Sequence, residues 1–151
     1  MQANHLAAVA CGLAATLLLA TSALGQDGKA AFAMRSQTMK EIGRAYYGGI
    51  GRVLKGRAEY GPATVTAAES LPPLVARIPT LFPPGSDLPD SKMKPEIMSA
   101  PDKVAQLVAG VQATLPTLIT EVKTGDKARI ATAYAATEKA CNACHDLYRK
   151  E

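Results

Sequence analysis

Tryptophan is absent from this 151-residue chain, and phenylalanine and histidine each occur only twice. A core built from it must therefore rest on aliphatic side chains and five tyrosines. Charged side chains of the Asp, Glu, Lys and Arg types are missing altogether from the first 25 residues, so all 17 basic and all 13 acidic residues, and the formal net charge of +4, belong to residues 26–151. Leu6 to Ala20 is an almost unbroken apolar run, and Ala23-Leu24-Gly25 after it has the small-x-small pattern of an export cleavage site. The n-region carries no Lys or Arg. A spanning helix needs about 20 apolar residues, more than this run supplies, so a retained anchor is the weaker alternative. We expect residues 1–25 to be a signal peptide and residues 26–151 to form the mature domain, exported to the periplasm with no stable membrane anchor after cleavage. Cys11 lies inside the apolar run and reads as a small apolar residue of that peptide. Beyond position 25 the chain keeps a single histidine, His145, and two cysteines, Cys141 and Cys144.

The remaining 126 or so residues suffice for one hydrophobic core and not two. The basic residues are scattered singly and are not interleaved with aromatics, which excludes the clustered footprint of nucleic-acid binding. No paired carboxylates, serine–histidine arrangement or glycine-rich phosphate loop occurs, so nothing points to an enzyme.

No stretch sustains period-2 alternation, whereas four show helical periodicity. The first runs from about Lys29 to Lys55, with Phe32, Arg35, Met39, Ile42, Tyr46, Ile50 and Val53 on one face and Gly48, Gly49 and Gly51 weakening its last turns. The second, about Ala63 to Leu81, contains Pro72, Pro73 and Pro79. An interior proline costs about 3 kcal/mol, which predicts a kink or a split into two pieces. Phe82 to Pro101 is too long to be a structureless loop in a compact domain and is expected to be an ordered crossing. The third helix is expected to start at Ser99 or nearby as N-cap, to run through Val104, Leu107, Val108, Val111, Leu115, Leu118 and Val122, and to bend at Pro116. Gly125-Asp126 closes it and caps a fourth helix, on which Ile130, Tyr134, Thr137, Cys141, Cys144 and Tyr148 share a face. This pattern predicts an all-α, antiparallel four-helix bundle.

Cys141-Asn142-Ala143-Cys144-His145 forms a C-x-x-C-H motif, the spacing at which one c-type haem is attached covalently through two thioethers while the histidine reaches the iron. The competing readings are a thioredoxin-like dithiol, structural zinc and a plain disulfide. The first wants a βαβ setting, the second four ligands where the mature chain has three, and the third is awkward across one helical turn and gives His145 no role. On the haem reading the group sits near the C-terminal end of the fourth helix, with Cys141 and Cys144 binding it and His145 as proximal iron ligand. With no second mature histidine, the sixth position falls to a methionine or an unusual ligand, or stays empty. Met34, Met39, Met93 and Met98 are available, and Met39 lies on the core stripe of the first helix; plain packing is its other reading. Arg35, one turn earlier on the same face, needs an anion if buried. Its two readings are a haem propionate, held through paired hydrogen bonds, and an ordinary Asp or Glu at the bundle end.

These residues resemble the class II c-type cytochromes, the cytochrome c-prime family and its low-spin relatives. CNACHDLYRK is similar to the family's haem-binding end, Arg35-x-x-x-Met39-Lys40-x-Ile42-Gly43 to the opening helix of the low-spin members, and FPPGS followed by Pro95-Glu96-Ile97 to the central crossing. The resemblance covers the whole mature chain. It implies His145 as proximal ligand, Arg35 near the propionates, and, as in low-spin members, Met39 as the sixth ligand. It further implies a periplasmic electron carrier that cycles between ferric and ferrous iron and meets redox partner proteins at an exposed haem edge. The alternative is a five-coordinate protein binding nitric oxide or carbon monoxide, as in high-spin members. Family members often form homodimers through their first two helices, which here include the Pro72-Pro73 break. Met98 stands where an aromatic often follows Pro-Glu-Ile, which makes it a rival distal group.

Overall fold

The computed structural model describes residues 12–150, with side chains from Gly28 onward. His5, Cys11 and the start of the expected signal peptide lie outside the described residues, as do the side chains flanking the expected cleavage point. α1 (Gly12–Gly43) continues without a break through a π-helical stretch, Arg44–Gly51, into a last turn, α2 (Arg52–Leu54). The second rod is the divided one that Pro72, Pro73 and Pro79 demand: α3 (Pro62–Glu69), α4 (Leu71–Ala76) and a 3-10 turn over Ile78–Leu81. The crossing is ordered by turns and by a second 3-10 turn, Pro95–Ser99. α5 (Pro101–Thr124) and α6 (Lys127–Tyr148) complete a four-helix bundle. Among the described residues there is no sheet, only an isolated bridge between Met93 and Arg149, and no helix is long and apolar enough to cross a membrane.

One sequence expectation needs correction. Ser99 does not cap α5: its hydroxyl donates to the Glu96 carbonyl and so closes the preceding 3-10 turn, leaving Ala100 at the N-cap without a side-chain bond. The glycines near the end of the first rod weaken its α-helical turns as expected, and the stretch takes π turns instead; Gly49 also lets the rod meet α3 closely, since a Cβ there would lie 2.4 Å from that of Ala67.

The core follows the helical stripes. Val104, Val108, Val111, Leu115, Leu118 and Val122 of α5 are buried against Ile130 and Ala133 of α6, and Ile50, Val53, Leu71 and Val75 close the other side. Each aliphatic side chain fully buried in this way contributes about 1.5–3 kcal/mol. The α5–α6 hairpin turns at Gly125, whose φ of +72° is left-handed, and Asp126 then caps α6 by accepting from the amides of Ala128 and Arg129 at 2.9 and 3.1 Å. Tyr60 donates to the Val122 carbonyl at 2.8 Å, which satisfies one of the end groups of α5.

Candidate haem site

α6 is alanine-rich and well capped, so it stays helical to Tyr148 and carries Cys141, Cys144 and His145 onto one face near its end. All three are half-buried, and the two sulfurs are not joined to each other. Together with Met39 of α1 they line a cavity of about 560 Å³ between the first and fourth rods. Tyr46 and Tyr47 of the π-helical stretch, Phe82 and the Ser91–Met93 segment of the crossing, and Val108 and Val111 of α5 complete its walls. Pockets for cofactor-sized ligands run from about 300 to 1,000 Å³, so the space matches the donor set. A second, open groove between α1 and the α3–α4 pair contains none of the motif residues.

The electrostatics suit ligation. Burial, helped by nearby Arg149, pushes the His145 imidazole below its ordinary value, so it is neutral at pH 7 with a lone pair to give. Burial raises both thiols, and Glu138 and Cys144 raise Cys141 further, so neither is a reactive thiolate by itself. Tyr46 stacks on Tyr134 with centroids 4.0 Å apart and donates to the Tyr134 carbonyl, tying the π-helical stretch to α6 two turns before Cys141. Among the described residues no strand precedes the motif as a thioredoxin-like dithiol would need. Two thiols, one neutral imidazole and an apolar cavity fit a haem.

The methionines sort differently from the sequence reading. Met39 lines the cavity as its stripe predicted, but so does Met93, which periodicity could not place because it lies outside any helix. Met98 does not line it. Its sulfur accepts instead from the Ser86 hydroxyl at 3.2 Å. Met34 is exposed.

Arg35 lines the cavity and is only 4% exposed, yet among the described residues it forms no ion pair with a carboxylate. Of its two readings, the one with an Asp or Glu at the bundle end is not seen; neutral groups accept instead. Nη1 donates to the Leu81 carbonyl at 2.7 Å and the Ser86 hydroxyl at 3.1 Å, while Nη2 donates to the Ser86 carbonyl at 2.7 Å and the Ser91 hydroxyl at 3.4 Å. Burial lowers its pKa and Asp87 partly restores it.

The family model described as Cytochrome C′ matches residues 30–149, which includes every element that lines the cavity. The chain belongs to the cytochrome c′ family. Cytochrome c′ of Alcaligenes xylosoxydans xylosoxydans is 29% identical over 108 residues, which is 71% of this chain and 84% of that protein. The solved cytochrome c prime of Shewanella frigidimarina superposes with a TM-score of 0.72 at 27% identity, covering 82% of this chain and 97% of the other. A ferrous variant of the Alcaligenes xylosoxidans protein with bound nitric oxide gives 0.68 at 27% identity, covering 80% and 94%. Membership in this family makes the chain a class II c-type cytochrome, a haem protein.

Proposed function

We propose that one haem is held in the α1–α6 cavity by thioethers to Cys141 and Cys144, with His145 as its proximal ligand, in a protein exported to the periplasm once residues 1–25 are removed. The observation that carries this is that the three motif side chains converge on a single cavity of suitable size. When bound, the haem supplies an iron that can change oxidation state or take a small ligand. The chain's own contribution is to anchor it from one helix turn, to keep His145 neutral through burial, and to surround the site with apolar groups that exclude water.

The relatives favour small-ligand binding over electron carriage, since variants of the similar Alcaligenes protein have been solved with nitric oxide bound. On this reading the protein binds nitric oxide or carbon monoxide at the iron face away from His145, without turning over a substrate, and Met39 is a wall of that face. One observation of this chain favours the second reading, a six-coordinate carrier that meets redox partner proteins at the haem edge: the Met39 side chain lines the same cavity from the opposite helix, and methionine is an established axial partner of histidine. A homodimer through the first two rods belongs to either reading.

The absorption spectrum of the reduced protein, with and without carbon monoxide, decides. Broad high-spin bands that shift with the gas are expected. Sharp low-spin bands indifferent to it would overturn ligand binding in favour of carriage, and a colourless, correctly matured protein without the added mass of a macrocycle would overturn both.

A further inference from the structure

Arg35 presents the problem of a buried cation whose acceptors are all neutral. A guanidinium has five N–H donors, and the four on Nη1 and Nη2 are spent on Leu81, Ser86 and Ser91, leaving only Nε–H without an acceptor among the described residues. The same four bonds join α1 to the segment Leu81–Lys94, a strap across the end of the bundle. Ser86 and Ser91 are both buried, and the strap rests directly on α1: a Cβ on Gly28 would lie 2.2 Å from the Gly85 carbonyl oxygen.

The strap leads on to the haem-binding helix. The Lys94 amide donates to the Tyr148 carbonyl at 2.7 Å, the Lys150 amide to the Lys92 carbonyl at 2.8 Å, and the Lys150 ammonium to the Ser91 carbonyl at 2.9 Å. The Arg149 amide in turn donates to the His145 carbonyl at 2.8 Å. Ser91 is the joint of this path, since its hydroxyl takes Arg35 and its carbonyl takes Lys150. The strap also walls the cavity with Phe82, Asp90, Ser91, Lys92 and Met93. Phe32 and Phe82 lie with ring centroids 5.5 and 5.1 Å from the guanidinium carbon, and their faces help to stabilise its charge.

We propose that Arg35 is a positioning residue for His145: its guanidinium fork clamps the Leu81–Lys94 strap to α1, and the strap in turn fixes the end of α6 that carries the proximal ligand. This inference rests on the proposed haem for its effect on the iron, but not for the clamp itself. Fork geometry, and not charge alone, is what the acceptors use. Lysine in its place would keep the charge, yet one ammonium cannot reach two carbonyls and two hydroxyls arranged for a planar fork.

The test is hydrogen exchange on the purified, matured protein, together with resonance Raman of the reduced form, which reports the iron–imidazole stretch. Arg35→Lys and Arg35→Gln are both expected to lose at least tenfold in amide protection across the strap and in the Tyr148–Lys150 tail, to leave the middle of α5 protected, and to shift or broaden the iron–imidazole band. Full protection and an unchanged band in Arg35→Lys would show that charge alone matters and would overturn the proposal. So would loss of protection with the band unmoved, which would make the clamp merely structural. If neither Arg35 variant matures, the double variant Ser86→Ala, Ser91→Ala removes two of the four acceptors. A severalfold loss of protection over the same segments with a shifted band supports the proposal, and no change overturns it. Should the protein prove colourless, the functional reading falls while exchange still decides the clamp: a tail that stays protected without Arg35 refutes it, and one that opens supports it.

Discussion

Replacing Tyr46 with Phe removes one oxygen from the wall of the cavity and leaves the ring in place, so its cost can be worked from the contacts. Tyr46 is 3% exposed, stacked on Tyr134, and donates to the Tyr134 carbonyl. Phe keeps the stacking and the volume, and no cavity opens. The abandoned carbonyl lies within α6 and still accepts its own helical N–H from four residues on, so it is not orphaned. The loss at pH 7 is therefore that of one ordinary hydrogen bond, about 1 kcal/mol. At high pH the sign changes. Burial, then the neighbouring Tyr134, Cys141, Glu138 and Tyr47, raise the Tyr46 phenol far above its ordinary value of 10.0. A group whose pKa is raised on folding contributes stability that is intact below the unfolded value and is lost as pH climbs beyond it. At pH 11 the unfolded chain gains about 1.4 kcal/mol by ionising a tyrosine that the fold keeps neutral, and phenylalanine is exempt from that loss. Urea unfolding at pH 7 should thus show Tyr46→Phe less stable by about 1 kcal/mol, and at pH 11 the difference should vanish or slightly reverse. An equal deficit at both pH values would refute the burial argument, and a deficit above about 3 kcal/mol at pH 7 would refute the claim that the carbonyl keeps a partner.

Met39→Leu conserves volume and should cost less than about 1.5 kcal/mol while leaving the bands of the reduced holoprotein where they were; a changed spin state would identify Met39 as an iron ligand and return the protein to electron carriage. Asp126→Ala removes the cap that accepts from Ala128 and Arg129 and should destabilise by about 1 kcal/mol in thermal or chemical unfolding. Gly125→Ala must hold φ at +72° and bring its Cβ to 3.1 Å from the Tyr60 ring, so a loss of roughly 1–2 kcal/mol is expected, and a stabilised variant would contradict the left-handed turn.

The helices were legible because a 3.6-residue period writes itself into the positions of Val104, Val108, Val111, Leu115, Leu118 and Val122, and every one of these is buried. Prolines 72, 73 and 79 divided the second rod as their missing N–H groups require. The motif end was equally readable, since Cys141, Cys144 and His145 fall on one face of any helix that passes through them. The π-helical widening at Arg44–Gly51 was not, because three glycines weaken an α-helix without stating which alternative tertiary packing will select. Tyr46 and Tyr47 both reach the cavity from that stretch, which a regular α-helix places about 100° apart around its axis.

The crossing resisted prediction for a related reason. Periodicity assigns faces only where a repeating geometry exists, so it could rank Met39 but had no means of separating Met93, which lines the cavity, from Met98, which turns to Ser86. Arg35 exposes the same limit from the opposite direction. Its burial follows from its stripe and the cost of that burial from elementary electrostatics, so a partner could be demanded from the sequence. Two of the partners are backbone carbonyls, which every residue possesses and which no residue type advertises. The distal methionines and the acceptors of the buried cation thus both trace to one aperiodic segment. That segment is also where the fold brings α1 and the end of α6 into register around the cavity, so the part of the chain least readable as pattern is the part that fixes how the two faces of the site meet.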